Sequence, residues 1–566
     1  MDTLLKYKGY PGRPSSQSGV ELLALSSNLL IGHLMADPYV DRPLYDRQRN
    51  MNRDAPPPAP NPATPASGSR PFCAIIGLGL ALLLVKNLHT NLADFDMWWN
   101  MATGRSLVQT GTFPYHDVFS YVPTLPVWIQ HGWLSGLALY QTNVWLGDAG
   151  LQLLRLGLGL GTAGFVYLAA RRHGAPALAA ALTLAAVGQQ FGSGFPAVRA
   201  LVFTNFFFAL SLYLLETARR NQSWRLLWLL VPTQILWANL HAGFLSGLGL
   251  IALYAVGQIL TRQRFMPLLI VLAAAGSSTL INPYGVAYVR EALFVSSTPT
   301  TDVPEWFRIW DTLSDHNFGS TSRFFLGLLG VTAVLAALAP RRDLTALLVL
   351  TVTAYLGVSR YRHIFFFLLA CCVYAPVLLA DAMRRVNARL GLSQRAPALQ
   401  YLAAGLCFLA AFWSVPAYVV NPLLANPRSV LFLAPLSWEY VSPGVPYYPV
   451  KALRHVIERG LKGNLLPDLA WGGVAIWALY PDCRVAMDGR NESVYPLKVR
   501  NEYFDFLMAR GDWRGYLERY PHDMILIKPY ERIGKLLAQE PGWRVEYQDR
   551  SAVLFMRAPP LPAAQP

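Results

Sequence analysis

Repeated apolar segments constrain this chain more than any other feature of its sequence. A helix needs about 20 residues to cross the hydrocarbon core of a bilayer, and the sequence has about eleven mostly apolar runs of roughly 16 to 22 residues. These runs are 72–88, 149–170, 174–190, 200–216, 224–239, 242–260, 265–281, 324–339, 344–359, 363–381 and 401–420. Because 53% of the residues are hydrophobic and only 14% are charged, we predict a mainly α-helical, polytopic membrane protein.

Basic residues between the runs predict the orientation of the chain. They occur after alternate runs, as Arg171/Arg172, Arg219/Arg220, Arg262/Arg264, Arg341/Arg342 and Arg384/Arg385. Short basic loops remain in the cytoplasm, so the chain is predicted to begin in the cytoplasm and to end outside it. The net charge of +15 is then explained by contact with anionic membrane lipids, and no nucleic-acid partner is expected.

The chain is predicted to have three parts. Residues 1–71 are poor in aliphatic side chains and end in a segment rich in Pro and Ala, which predicts a disordered cytoplasmic segment. Residues 72–420 form the membrane domain, with outer loops at 89–148 and 283–323. Within the first loop, residues 131–146 are short and have a tryptophan near each end, which predicts an interfacial helix.

The C-terminal part, residues 421–566, is predicted to be a small extracytoplasmic α/β domain. Short runs typical of strands alternate with helical stretches, and the run VAIWAL at 474–479 is read as one of the strands. The sequence Asp488-Gly489-Arg490 follows another predicted strand. We interpret it as a turn in preference to a functional motif.

Polar residues of the outer turns differ in chemistry from those of the inner turns. The outer turns carry carboxylates, amides, imidazoles and arginines, and the candidates among them are Asp94, Asp96, Arg199, Asn239, His241, Glu305, Arg360, Arg362 and His363. Arginines on this face oppose the usual charge distribution of membrane proteins. We therefore expect each to have a partner, and phosphate is the natural one.

Asp94 and Asp96 are the candidates for catalysis. Separated by one residue directly after an apolar run, they would point to one face of an extended segment. There they could hold a divalent cation together, Mg²⁺ or Mn²⁺, or one could raise the pKa of the other. Either arrangement suits a general base, while the alternative is a cap at the membrane interface.

Two further features have alternative readings. Trp128 and Trp133 could stack on sugars or belong to an aromatic belt at the membrane boundary. His241 could contact substrate or make an interhelical hydrogen bond.

Several motifs in order resemble those of the bacterial membrane glycosyltransferase-like proteins of the GT-C fold. The first is DFDMWWNMATGR at 94–105, similar to the family pattern D-x-D-x-W-W-H-L-x-x-G-R. Other matching segments are VWIQHGWLS (127–135), WANLHAGF (237–244), INPYG (281–285), AWGGVAIWAL (470–479) and MDGRNESVY (487–495). The resemblance extends over about residues 72–557.

This resemblance implies a membrane transferase similar to protein mannosyltransferases and lipid A aminoarabinose transferases. Such enzymes move a sugar from a polyprenyl-phosphate carrier to a glycan, lipid or protein acceptor on the outer face of the bacterial inner membrane. The family's catalytic acid pair falls on Asp94 and Asp96, and the matched motifs add Trp99, Asn100, Arg105 and His131 as substrate-binding candidates. From charge and sidedness, the arginines are expected to hold the carrier phosphate.

The sequence departs from the family pattern at Asn100, which stands in place of His, at Gly132 in place of Glu, and at Ala200 in place of Pro. The first two changes remove possible metal ligands. Two other functions remain open: a non-catalytic polyprenyl-phospholipid binder or flippase, and an oligosaccharide ligase that uses a pyrophosphate carrier. The apolar runs contain almost no Asp or Glu, which favours transfer over proton-coupled transport.

Overall fold

The computed structural model describes residues 70–88, 94–195, 197–297, 304–316, 318–339, 343–389, 441–442, 445–446 and 448–558. The chain divides into two compact units, Met1–Cys73 and Ala74–Pro566. Only 70–73 of the first unit are described, and the contacts reported below lie in the second. Residues 1–69, the predicted span at 401–420 and the predicted domain boundary at 421 lie outside the described residues.

Most of the described residues are helical. The α-helices before residue 390 are α1 (Arg70–Leu88), α2 (Phe95–Thr110), α3 (Trp133–His173), α4 (Ala177–Gly188), α5 (Phe191–Gly194), α6 (Leu201–Arg220), α7 (Leu230–Leu240), α8 (Phe244–Leu260), α9 (Met266–Ser278), α10 (Val286–Ser297), α11 (Ile309–Thr312), α12 (Gly319–Leu338), α13 (Leu344–Ser359) and α14 (Ile364–Arg389). Short 3-10 helices occur at Trp224–Leu229, Pro304–Trp306 and Tyr361–His363.

Four helical segments in the described part are long and apolar enough to cross a membrane. They are Trp133–His173, Leu201–Arg220, Gly319–Leu338 and Tyr361–Arg385. Five of the other predicted spans correspond to shorter apolar helices of 10 to 17 residues, which reach about 15 to 26 Å at 1.5 Å per residue. The predicted count of about eleven spans is therefore not confirmed. One reason is visible at 224–239, where a 3-10 helix precedes α7.

Residues 133–146, in the stretch predicted to form a separate interfacial helix, are the first of two helical segments that make up α3. Helix α3 continues to His173 and bends at Gly147, whose φ of 66° is left-handed. A glycine adopts this conformation without the steric penalty of a side chain. Gly147 therefore separates the predicted helix from the span that follows it, and the interfacial position of the first segment stays a prediction.

Close packing of α2 on α3 fixes the segment that carries the acid pair. A Cβ atom on Gly104 would lie 2.3 Å from the carbonyl oxygen of Gly136, and one on Gly136 would lie 2.5 Å from that of Asn100. Small residues let two helices approach to this distance. Helix α2 is thereby held against the helical bundle.

The C-terminal part combines helices with a mixed sheet. Its elements are β1 (Val441–Ser442), β2 (Val445–Pro446), α15 (Val450–Glu458), β3 (Gly463–Pro467), α16 (Leu469–Leu479), β4 (Cys483–Val485), α17 (Leu497–Leu507), α18 (Trp513–Arg519), β5 (Met524–Ile527), α19 (Arg532–Leu537), β6 (Trp543–Gln548) and β7 (Val553–Arg557). Strands β1 and β2 pair with each other, and the other five form one sheet in the order β4-β3-β5-β7-β6. Strand β3 is parallel to β4 and β5, and β7 is antiparallel to β5 and β6.

The predicted strand at 474–479 is wrong, because these residues lie in α16. The remainder of the α/β pattern agrees better with the prediction, since β5, β6 and β7 fall within the strand-like runs DMILIK (523–528), WRVEYQD (543–549) and AVLFMR (552–557). A short apolar run does not distinguish a buried strand from a buried helix. Here the run belongs to an 11-residue helix whose residues from Trp471 to Leu479 are all buried.

The loop between α2 and α3 extends the C-terminal sheet. Ser120 pairs in parallel with Val485 of β4, the strand at one end of the sheet. The Val485 N–H donates to Phe119 O at 2.9 Å, and the Tyr121 N–H donates to Val485 O at 3.2 Å. This backbone pairing joins the sheet directly to the loop that follows the acid pair.

Candidate active site

Asp94 and Asp96 lie at the beginning of α2, not in an extended segment as predicted. Asp94 is the N-cap residue, and its Oδ1 accepts a hydrogen bond from the Asp96 N–H at 2.9 Å. Asp96 is in the first helical turn, where its Oδ1 accepts from Trp99 Nε1 at 3.0 Å. A carboxylate at an N-cap satisfies an otherwise unpaired helical N–H group. The two acids therefore have different local roles.

Asp96 differs from an ordinary carboxyl group in its pKa. Burial and the adjacent Asp94 carboxylate raise the pKa of Asp96 to about 7, while Arg199 and the Trp99 hydrogen bond oppose this rise only in part. A base is most effective when its pKa lies near the operating pH. The second oxygen of Asp96, Oδ2, has no hydrogen-bond partner among the described residues and remains available to a ligand.

Arg199 connects the acid pair to the loop before α11. Its guanidinium binds the Glu305 carboxylate through two hydrogen bonds of 2.8 and 3.0 Å and lies 3.4 Å from Asp94 Oδ2. Burial opposes ionisation of Glu305, but Arg199 outweighs it and lowers the pKa of Glu305. The expected partner of Arg199 was phosphate, whereas the structure gives it two carboxylates.

Arg362 is a second cation at this site, and it lies against an aromatic ring, whereas Arg199 is bound to carboxylates. The Arg362 guanidinium lies 4.2 Å from the ring centre of Trp306, and that of Arg360 lies 4.7 Å from the same ring. Arg362 is close enough to interact electrostatically with Glu305, Arg199 and Asp96. Among the described residues, no carboxylate forms an ion pair with it. Its charge is therefore less compensated than that of Arg199.

A small open pocket adjoins these groups. We call it the arginine pocket, and its polar lining includes Ser193, Arg199, Asn205, Glu305, Tyr361 and Arg362. The apolar part of the lining includes Leu201, Ile364 and Phe365. The pocket thus combines cationic and apolar surfaces next to the acid pair.

Two histidines border the site in neutral form. Burial, followed by the nearby Arg362, lowers the pKa of His131 and lowers that of His241 well below its usual value. His241 Nδ1 accepts hydrogen bonds from Thr204 Oγ1 at 2.8 Å and from the Gly243 N–H at 3.1 Å. Its proton is therefore on Nε2, so His241 can donate a hydrogen bond to a ligand.

Two other predicted site residues, Asn239 and Asn100, make hydrogen bonds within and between the elements around the site. Asn239 accepts from Trp133 Nε1 and donates to the backbone of Ile235 and Ile281. Asn100 donates to Asp96 O at 3.0 Å.

Two predicted residues have contacts away from the acid pair. Arg105 lies two turns beyond Asp96 on α2, over the Trp477 ring of α16. His363 stacks on Phe366. The structure thus brings Asp94, Asp96, Arg199, Glu305 and Arg362 together, with Trp99 beside Asp96.

The acid pair does not fit a divalent cation well. Asp94 Oδ1 caps α2 and its Oδ2 faces Arg199, while Asp96 Oδ1 is bound to Trp99. Both oxygens of Glu305 are bound to the same guanidinium. In the described ranges, no group of three His, Cys, Asp or Glu residues is placed to hold a metal ion. The Arg199 guanidinium occupies the position between carboxylates that a cation would need.

Sequence reasoning missed the part of the site that comes from the C-terminal domain. A Cβ atom on Gly489 would lie 3.2 Å from Asp96 Oδ1 and 3.7 Å from Trp99 Nε1. Gly489 is the middle residue of the sequence read as a turn at 488–490. Asp117, in the loop between α2 and α3, forms a buried ion pair with Arg490. Residues 373 positions apart leave no local signal of such a contact.

No family model and no curated protein matches the chain. Among solved structures, ArnT from Cupriavidus metallidurans bound to undecaprenyl phosphate is similar, with a TM-score of 0.50 and 14% identity over 88% of this chain and 100% of that chain. The apo oligosaccharyltransferase from Archaeoglobus fulgidus has a TM-score of 0.50 and 13% identity, over 86% of this chain and 74% of that one. The chain has the GT-C fold. At these identities the likeness shows the fold alone, and this fold is the one that the sequence motifs predicted.

Proposed function

We propose that this protein transfers a sugar from a polyprenyl-phosphate carrier to an acceptor, with Asp96 as the general base. The observation that carries the proposal is the position of Asp96, a carboxylate with a pKa of about 7 beside the arginine pocket. Proton removal and phosphate binding are the two tasks that such a reaction requires. The GT-C fold accommodates a carrier of this class, since ArnT was solved with undecaprenyl phosphate bound.

The acceptor hydroxyl or amine would attack the anomeric carbon of the sugar. As the new bond forms, Asp96 Oδ2 takes the proton of the acceptor, and the bond from the anomeric carbon to the phosphate oxygen breaks. The polyprenyl phosphate leaves with the electron pair of that bond. Attack from the side opposite the phosphate inverts the anomeric centre.

Arg362 is the residue best suited to bind the leaving phosphate. Arg199 is already held by Glu305 and Asp94, whereas Arg362 has no carboxylate partner in the described ranges. A guanidinium binds phosphate through charge-assisted hydrogen bonds. We assign Arg199 the role of fixing the acid pair and Arg362, supported by Arg360, the role of binding phosphate.

A non-catalytic lipid binder would need the arginines but would not need a poised carboxylate. The pKa of Asp96 therefore favours transfer over binding alone. A pyrophosphate carrier would bring more negative charge to the site than a single phosphodiester does. The partial compensation of Arg199 by carboxylates favours the carrier with one phosphate group.

The test is to replace Asp96 by Asn in cells that lack the native protein. Removing general base catalysis should lower transfer by about 100-fold or more, so lipid-linked sugar should accumulate and the glycosylated product should disappear, as measured by mass spectrometry. Asp94→Asn is the matched variant, because Asn also caps a helix, and its loss of transfer should be smaller. Normal product levels with Asp96→Asn would refute the assigned role.

A pH profile provides a second readout of the same proposal. The active form of Asp96 is the carboxylate, so the transfer rate of the wild-type protein should rise as pH increases through about 7. A rate that does not change between about pH 5.5 and 8.5 would contradict the assignment of Asp96 as base.

A further inference from the structure

The C-terminal domain contacts the acid pair through one short turn. Residues Asp488, Gly489 and Arg490 form this turn after β4, and we call it the DGR turn. Gly489 faces Asp96, since an added Cβ atom would lie 3.2 Å from Asp96 Oδ1. This is the same oxygen that accepts from Trp99. The turn therefore lies over one oxygen of the carboxylate.

A buried ionic network holds the DGR turn in place. The Arg490 guanidinium donates to Asp488 at 2.7 and 2.8 Å and to Asp117, and the side chains of all three residues are almost fully buried. Tyr495 donates to Asp488 Oδ2 at 2.6 Å. Buried charges are tolerated only when they are paired and hydrogen-bonded, and removal of one partner is costly. The network therefore fixes the turn relative to the loop that carries Asp117.

Aromatic rings and helix packing complete the support of the turn. The Arg490 guanidinium lies 4.7 Å from the ring centre of Trp128 and 5.2 Å from that of Phe119. Helix α16 lies against the other side of the turn, because a Cβ atom on Gly472 would be 2.3 Å from Met487 O. The neighbouring Gly473 contacts the backbone of Phe95, between the two acids. The turn and the start of α2 thus share one rigid support.

We propose that the DGR turn is a positioning element for Asp96, which shields Oδ1 from water and leaves Oδ2 as the oxygen that meets the acceptor. This inference rests on the proposed role of Asp96. It makes the C-terminal domain part of the active site, through Gly489 as the contact and through Asp117 and Arg490 as the residues that hold it.

The charged groups that face Asp96 come from several segments. Asp94 precedes it, Arg199 and Glu305 face it from the segments before α6 and α11, and Arg362 faces it from the segment before α14. None of these belongs to the DGR turn. A change in the turn should therefore alter the titration of Asp96 through hydration and position, while these charges remain in place.

The experiment is an infrared titration of the Asp96 carboxyl group in the full-length protein in lipid nanodiscs, with Asp96→Asn as the reference spectrum. Gly489→Ala places a methyl group against Asp96 Oδ1 without backbone strain, since Gly489 is not among the glycines with positive φ. The added apolar cover and the disturbed Trp99 hydrogen bond should raise the titration midpoint by about half a pH unit or more. Transfer at neutral pH should fall by about 10-fold.

Asp117→Asn should have the opposite effect on the midpoint. This change loosens the turn but leaves the Arg490 and Asp488 pair balanced in charge, so water should reach Asp96 and lower its midpoint. Gly542→Ala is the matched control in the same domain, because its Cβ atom would have nothing within 4 Å, and its midpoint should equal that of the wild type.

The inference would be overturned if the titration midpoint of Asp96 stayed at the wild-type value in both Gly489→Ala and Asp117→Asn. A purely structural role of the turn would lower the amount of folded protein without moving either midpoint. Failure of the proposed function would be recognised separately, by normal transfer in Asp96→Asn.

Discussion

At the scale of single residues, the charged groups of the site differ in the contacts that they make. Asp94 caps α2, Asp96 has the raised pKa, and Arg199 joins Asp94 to Glu305. Arg362 lies close to this group without an ion-pair partner among the described residues. Arg199 and Arg362 therefore differ in how free they are to bind a ligand, and the spacing of the sequence alone does not reveal this difference.

Binding of undecaprenyl phosphate should depend on Arg362. Arg362→Gln removes a charged donor, and hydrogen bonds to charged groups contribute roughly 1.5 to 3 kcal/mol. We expect affinity for undecaprenyl phosphate to fall by about 10- to 100-fold, as measured by calorimetry in detergent. Arg323→Gln is the control, since Arg323 is an exposed arginine on α12 outside the arginine pocket. Equal affinities of the two variants would exclude Arg362 as the phosphate ligand.

Removal of metal ions should leave transfer unchanged, because a guanidinium lies where a cation would bind. A chelator is therefore expected not to lower the rate of the wild-type protein. Arg199→Met leaves Asp94 and Glu305 uncompensated and should create affinity for Mn²⁺, detectable by electron paramagnetic resonance. Loss of wild-type activity on chelation, with recovery on adding Mn²⁺, would show that the interpretation of Arg199 is wrong.

At the scale of elements, the acid pair is positioned by helix packing more than by its own sequence. Helix α2 is held on α3 at Gly104 and Gly136, and α16 lies on its opposite side through Gly473. The N-terminal turn of α2 therefore has support from both the membrane part and the C-terminal domain. A displacement of α2 should therefore also move the Asp96 side chain.

Gly136→Ala tests this packing. Its Cβ atom would lie 2.5 Å from Asn100 O, a backbone atom that cannot move without the helix. Overpacking of this kind costs about 1 to 3 kcal/mol, so the thermal unfolding temperature in detergent should fall. Gly157→Ala is the control on the same helix, because nothing lies within 4 Å of its added Cβ atom. Equal unfolding temperatures of both variants would contradict the packing argument.

The elements also show how far sequence reasoning extends. Long periodic apolar runs predicted the helices of the bundle, because burial in lipid demands them. The spacing of Asp94 and Asp96 suggested an extended segment, but Asp94 caps a helix. The sequence Asp-x-Asp is compatible with both structures. The run at 474–479 was assigned to a strand because its apolar residues fit either structure. The pairing of Asp117 with Arg490 could not be predicted, since it depends on the tertiary fold.

At the scale of the whole molecule, the bundle has polar groups at two ends. Arg199 precedes α6 and Glu216 lies near its end, so about 26 Å of helix separates them. At the far end, Glu216, Arg219, Arg220 and Asp343 form a network of ion pairs. The prediction that the far end faces the cytoplasm and the site faces outward follows from the arginine pairs and remains to be tested.

Labelling of two cysteine variants checks this orientation. Ser314 and Ser223 are both exposed, and they lie on the site side and on the far side, respectively. Ser314→Cys should react with an impermeant thiol reagent added to intact cells from outside, whereas Ser223→Cys should react only after permeabilisation. The wild-type protein is the control. The reverse pattern would place the site in the cytoplasm and exclude a reaction on the outer face.

The pairing of residues 119–121 with β4 has a consequence for anyone who isolates the C-terminal domain. In the full chain, this backbone segment covers the side of the sheet at β4. Excision of the domain would leave the N–H and C=O groups of Val485 without these partners, and unpaired peptide groups at a sheet edge are a template for strand addition from another molecule. A fragment expressed without the loop should therefore self-associate, and a fusion that restores residues 111–132 should keep it monomeric.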